Sequence, residues 1–186
     1  MTIPERRRKP EGFTLIELLI VVAIIGIVAA IAVPGLLRAR MSGNEASAIG
    51  SLRAINSAQA SYSSSCAAGG YAVKLGDLSR APSGLTQGFI SPDLSADPST
   101  KSGYTVSLAA DLASGVAPMG SASTTCNASS AGPSSSYYAM AIPVTSGATG
   151  TRSFATDTRA TIFFKVGAAA PANPIDPAAA GVSVVQ

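Results

Sequence analysis

One carboxylate stands where carboxylates are rarely tolerated. Between Phe13 and Val33 the chain reads FTLIELLIVVAIIGIVAAIAV, 21 residues in which Thr14 and Glu17 are the only clearly polar members. A charged acid in such a run costs about 2 to 3 kcal/mol inside a membrane unless it is paired or lies near the interface. Glu17 therefore calls for a cation, and a plain anchor would not include it. Gly12 immediately precedes the run.

The remaining candidates for chemistry are few. Cys66 and Cys126 are the two cysteines, and the chain has no His. Neither lies in a CxxC motif, and zinc would need further ligands. In an exported protein an even pair is expected to be bridged. Such a bridge would close a loop of about 61 residues and contribute roughly 4 kcal/mol on the chain-entropy estimate. Asp93 and Asp97 lie in a loop without the full oxygen-ligand pattern of a calcium site. Asn127-Ala128-Ser129 is a nominal glycosylation sequon, a short motif of low specificity. No GxSxG, P-loop or HExxH is present, and no carboxylate pair has acid and base spacing. The reading is a non-enzyme with no cofactor, no catalytic residue and no metal.

The elements that position Glu17 follow from hydropathy. The run from Phe13 to Val33 is long enough to span a bilayer as a helix and is apolar all round, with no amphipathic stripe. Pro34 and Gly35 punctuate it, but a helix can continue through proline with a kink, most readily in apolar surroundings. Beyond, the segment from Leu36 to Tyr62 is amphipathic, with Ile49, Leu52, Ile55 or Asn56, Gln59 and Tyr62 at helical spacing. One bent helix from Phe13 to about Ser64 would be on the order of 75 to 80 Å long. Only its second half can rest on a domain. The cluster Arg6, Arg7, Arg8 and Lys9 just before the run fits the positive-inside rule, with the N-terminus cytoplasmic and the remainder exported. Without the first twelve residues the net charge falls from +3 to +1, which gives no reason to expect a nucleic-acid partner.

After Cys66 the composition turns to Gly, Ser, Pro and Ala. A helical turn is expected near Leu75 to Leu78, and strands at 103–110, 137–144, 152–156 and 161–166, separated by Gly and Ser clusters. The segments 114–136 and 167–186 read as mobile and exposed, the second because Pro171, Pro174 and Pro177 interrupt an Ala-rich tail. The fold class is α+β, a long N-terminal helix on a small antiparallel sheet. Its organisation is a leader at 1–12, an apolar helix at 13–33, an amphipathic half at 34–65, a β domain at 66–166 and a flexible tail at 167–186.

Arg6 to Lys9 followed by Gly12-Phe13-Thr14-Leu15-Ile16-Glu17 resembles the type III signal sequence of type IV prepilins and type II secretion pseudopilins. The resemblance implies a pilin-like fold, weakly matched in the β domain by the order of helix, loop and strands. It also implies cleavage after Gly12 by a membrane prepilin peptidase, N-methylation of Phe13 and pairing of Glu17 with a neighbour's terminal amine. Pro34 matches the family's kinking proline, and Gly26 with Pro34 brackets a stretch that loosens in the filament. A single-pass inner-membrane precursor would then become a periplasmic or surface filament, built by self-association and an inner-membrane assembly machinery.

Such a filament would serve motility, adhesion, DNA uptake or secretion, and the cysteine pair leans toward a pilin rather than a pseudopilin. The C-terminal disulfide that encloses a variable loop in many type IV pilins has no counterpart here, because Cys126 precedes two or three expected strands. Two other readings compete. A secreted binding protein would be cut near Ala30-Ile31-Ala32 and start near Val33, but Glu17 and a 21-residue run fit a signal-peptide core badly. A membrane-anchored enzyme lacks any motif to support it.

Overall fold

The computed structural model describes residues 12–185. The basic cluster Arg6–Lys9 and most of the expected leader lie outside the described residues. The chain divides after Arg38 into two compact units, although one helix, α1 (Leu15–Ser65, 51 residues), contributes to both. In the first unit every residue from Gly12 to Arg38 is exposed. The helix runs without interruption through Gly26, Pro34 and Gly35 and is long and apolar enough to cross a membrane.

The second unit is built on the remainder of α1. Its buried face is Glu45, Ala48, Leu52, Ile55, Gln59 and Tyr62, alternating three- and four-residue steps that keep one stripe on one side of a helix. Ile49, expected as the first residue of that stripe, is only half-buried. Against it packs a six-stranded antiparallel sheet in strict sequence order: β1 (Ser99–Lys101), β2 (Tyr104–Ala110), β3 (Tyr137–Pro143), β4 (Arg152–Asp157), β5 (Ile162–Val166) and β6 (Ser183–Val184). Alternation places Val106, Leu108, Tyr137, Ala139, Phe154 and Ile162 in one core with Leu52, Ile55 and Tyr62. The short helix α2 (Leu75–Ser79) adds Leu75 and Leu78 to that core.

Polar contacts fix the register of helix on sheet. Glu45 is 5% exposed; its carboxylate accepts bonds from the Thr151 and Arg152 amides at 2.8 and 3.2 Å, and from Arg152 Nε at 2.8 Å. Farther along, the Asn56 side chain donates to Thr156 and to the Ala160 carbonyl and accepts from the Tyr137 hydroxyl. Gln59 exchanges both its amide bonds with the backbone of Ala72, a side chain pairing as a strand would. Cys66 and Cys126 are joined across a separation of 60 residues, tying the end of α1 to the loop before β3. Gly150 has a steric reason: a Cβ there would overlap the Tyr104 hydroxyl, which donates to the Arg152 carbonyl.

Three features depart from expectation. β1 was not expected, since Ser-Thr-Lys carries no apolar pattern. It exists because Ser102 and Gly103, at φ 48 and 72°, form a two-residue turn linking Lys101 to its partner Tyr104, the geometry that suits strand twist.

The other two departures are segments expected to be mobile. Within 114–136, the Asp77 carboxylate accepts from the amides of Ser130 and Ala131, and the Ser134 amide donates to the Tyr71 carbonyl. The tail 167–185 does not behave as its composition suggests either. Asn173 bonds the backbone of Ala110 and Leu112, Arg159 donates to the Ile175 carbonyl, and β6 pairs with β5. Ile175 and Val182 cover Tyr138, Met140, Ala155 and Phe163 on the sheet face away from the helix. Burying a residue such as Phe163 contributes about 2 kcal/mol, enough to hold a proline-interrupted segment in place.

Two outcomes follow. Ile175→Ala is expected to lower stability by about 2 kcal/mol or more in denaturant unfolding of the detergent-solubilised chain. Free exchange of the Val185 amide in the wild type would contradict a docked tail. Burial raises the Glu45 carboxyl, but the bonds from Thr151 and Arg152 outweigh this and hold it below its ordinary value of 4.5. Its contribution is then present above about pH 4.5 and lost as pH falls through the lowered folded value. Glu45→Gln should flatten that acid limb of the stability profile.

Candidate functional site at the helix N-terminus

Of the residues singled out by sequence, Gly12, Phe13 and Glu17 lie at or just before the start of α1, Pro34 lies inside it, and Cys66 and Cys126 form the bridge beyond its end. Nothing lies within 4 Å of where a Cβ would sit on Gly12, so the fold itself supplies no reason for glycine there. Phe13 is 87% exposed. Thr14 and Glu17 then form a reciprocal cap: the Glu17 carboxylate accepts from the Thr14 amide at 2.9 Å and from its hydroxyl at 2.7 Å. In return the Glu17 amide donates to the Thr14 hydroxyl oxygen at 3.3 Å. This is a capping box, which satisfies amides that a helix start leaves unpaired. The Thr-x-x-Glu spacing is itself the sequence signal of such a box.

The capping box defines what Glu17 can do. Both bonds from Thr14 fall on the same oxygen, Oε2, which leaves Oε1 open to a further donor. A cation arriving from outside the chain would find a carboxylate already oriented and anchored. On another face of the same helix Leu15, Leu18, Leu19 and Val22 outline a shallow depression of about 290 Å³. Their spacing is that of the four-residue hole into which a neighbouring helix inserts a side chain.

The other sequence candidates have structural uses. Asp93 pairs with Lys101 at 2.5 Å, while Asp97 accepts from the amides of Leu75 and Leu108 and so caps α2 from a distant loop. Among the described residues no group of three or more acidic, His or Cys side chains could hold a metal ion. Asn127 is 4% exposed and donates to the carbonyls of Asp77 and Arg80, so the sequon is a core hydrogen-bonding element. The cleft of about 420 Å³ beside Thr86, Phe89 and Pro92 contains no titratable group.

Comparison with known proteins points to the same end of the chain. Residues 7–33 match the model of the prokaryotic N-terminal methylation motif. Over 62 residues the chain is 44% identical to the type IV major pilin protein PilA of Myxococcus xanthus, covering 33% of this chain and 28% of that protein. Over 38 residues it is 60% identical to the type IV wide pilus major component PilA4 of Thermus thermophilus, covering 20% and 29%. The matches thus span less than a third of either relative. No solved structure matches the chain. The N-terminal segment of the chain is thus similar to those of type IV pilus components and carries the prokaryotic N-terminal methylation motif.

Proposed function

We propose that this protein is a filament subunit of the type IV pilus class, cut after Gly12, methylated at the Phe13 amine and assembled through α1 into an extracytoplasmic polymer. It is a structural protein and not an enzyme. The observation that carries the reading is an apolar helical surface, exposed all round from Phe13 to Val33, that begins with one carboxylate held ready by Thr14. Such a surface is stable in lipid before assembly and in a bundle of like helices afterwards. Burial of each copy's helix supplies the driving force, and the new amine at Phe13 is the cation that a buried Glu17 requires.

In this reading Arg6 to Lys9 hold the precursor's N-terminus in the cytoplasm and the domain from Ala39 onward is exported. The Cys66–Cys126 bridge belongs to that oxidising compartment. Prepilin peptidase and an inner-membrane assembly machinery are the partners. Motility, adhesion and DNA uptake are the roles open to such a polymer. A type II secretion pseudopilin shares the same N-terminal chemistry and is the second reading; both named relatives, however, are pilus components.

Two substitutions test the chemistry. Gly12→Leu should leave uncut precursor in the membrane fraction, seen as a larger species by mass, and normal maturation would rule out a cut at this bond. Glu17→Val should insert and mature normally yet yield at least roughly tenfold less sheared filament, the loss that one desolvated charge pair of 1.4 kcal/mol represents. Wild-type filament yield from Glu17→Val would remove the pairing role.

A further inference from the structure

α1 changes character at Asn44. Every residue from Gly12 to Arg40 is exposed, Met41 is half-buried, and Ser42 and Gly43 are exposed again. Between Glu17 and Asn44 no side chain makes a hydrogen bond or ion pair among the described residues. Pro34 lacks the amide that would bond the Ala30 carbonyl, and Gly35 and Gly43 lower helix propensity on either side of Leu36 to Ser42. This stretch is held as a helix by little besides its own backbone.

The domain takes hold within two residues. Asn44 donates to the Thr149 carbonyl at 2.9 Å, and a Cβ on Gly103 would crowd both Asn44 and Thr149, at 3.2 and 2.9 Å. Glu45 then uses both of its oxygens. Oε1 accepts from the Thr151 amide and hydroxyl and from the Arg152 amide, while Oε2 accepts from Arg152 Nε at 2.8 Å and Nη2 at 2.7 Å. The guanidinium lies over the rings of Phe154 and Phe164, at 5.5 and 5.1 Å. Thr151 and Arg152 are themselves fixed, because their carbonyls accept from the Gly167 amide and the Tyr104 hydroxyl. One carboxylate thus joins α1 to β4 and, through Arg152, to β2.

We propose that Glu45 is a stop, which halts at the domain's edge any unwinding of α1 that begins upstream. Unwinding a helix from a weak point gives up one backbone bond per residue. Passing Glu45 also strips a buried carboxylate of five charge-assisted contacts. Backbone bonding sets where the boundary falls. Amides 44–47 bond carbonyls 40–43 and open with the upstream stretch, whereas the Ala48 amide, on the Asn44 carbonyl, is the first behind the stop. The apolar part of α1 can then change its surroundings while the stripe from Ala48 to Tyr62 stays on the sheet. That use rests on the filament reading; the stop itself does not.

The test is hydrogen exchange, resolved to single amides, on the detergent-solubilised full chain at neutral pH, with wild type, Glu45→Gln and Asn44→Ala compared. In the wild type, protection should step up by at least roughly tenfold between amides 44–47 and 48–51. Glu45→Gln keeps the shape and loses the ion pair. It should speed exchange at 48–51 by roughly tenfold, the loss of one charge-assisted bond, and leave 55–62, β2 and β3 at wild-type rates. Absence of the wild-type step overturns the stop, and so does unchanged exchange at 48–51 in Glu45→Gln. If Glu45→Gln loosens the whole sheet, Asn44→Ala decides: a rise at 48–51 with β2 and β3 unchanged supports the stop, and a rise shared by those strands, or none, overturns it. These amides are read in the single chain, so a mature protein that does not begin at Phe13 overturns the filament reading and leaves the stop standing.

Discussion

Everything about this chain is organised around an apolar helical surface that cannot remain in water. From Phe13 to Val33 it is apolar on every side, and every residue there is exposed. At about 25 cal/mol per Å² of apolar area, leaving 21 such residues wet would outweigh the stability of an ordinary domain, typically about 5 to 15 kcal/mol. Lipid resolves this for one copy, and a bundle of copies resolves it in an aqueous compartment. A carboxylate is compatible with both environments only if something answers it. Thr14 does so within the chain, and a terminal amine at Phe13 would do so between chains.

The domain solves a different problem with the same helix. With few aromatics and many small residues, the core is thin, and its specificity comes from polar groups anchored on α1. Glu45, Asn56 and Gln59 each bind backbone or side chains far along the sequence. A slip of the sheet along the helix would take from Glu45 and Asn56 the partners they find at its strands and turns, at a penalty of about 1 to 3 kcal/mol for a buried group left unpaired. The buried polar side chains all find partners among the described residues. The disulfide then fixes the top of the helix to the loop from which β3 departs.

How much of this was legible in the sequence depends on whether the signal was local. The apolar run, Glu17 and the four long strands were readable because period and composition announce them. β1 and β6 were not, since strands of three and two residues are made by what they pair with. The tail shows the limit most clearly. Its prolines speak for mobility, yet Ile175 and Val182 cover a sheet face that Tyr138 and Phe163 would otherwise expose. Only the three-dimensional arrangement reveals that need. The Thr14–Glu17 capping box was fully legible, being a local four-residue pattern, and the strangeness of the charge concealed its ordinary use. Asn127 is the converse case, a motif with a functional appearance and a buried structural role.

The central claim is that Phe13 opens the mature chain and that its amine is what Glu17 awaits. The most direct measurement is the intact mass and N-terminal sequence of the protein recovered from the sheared-filament or membrane fraction of its native cells. The account predicts a chain starting at Phe13 with one methyl group on its amine. A chain starting near Val33 would contradict it, because the entire apolar surface, Glu17 included, would then have been discarded and nothing would remain to build a filament core.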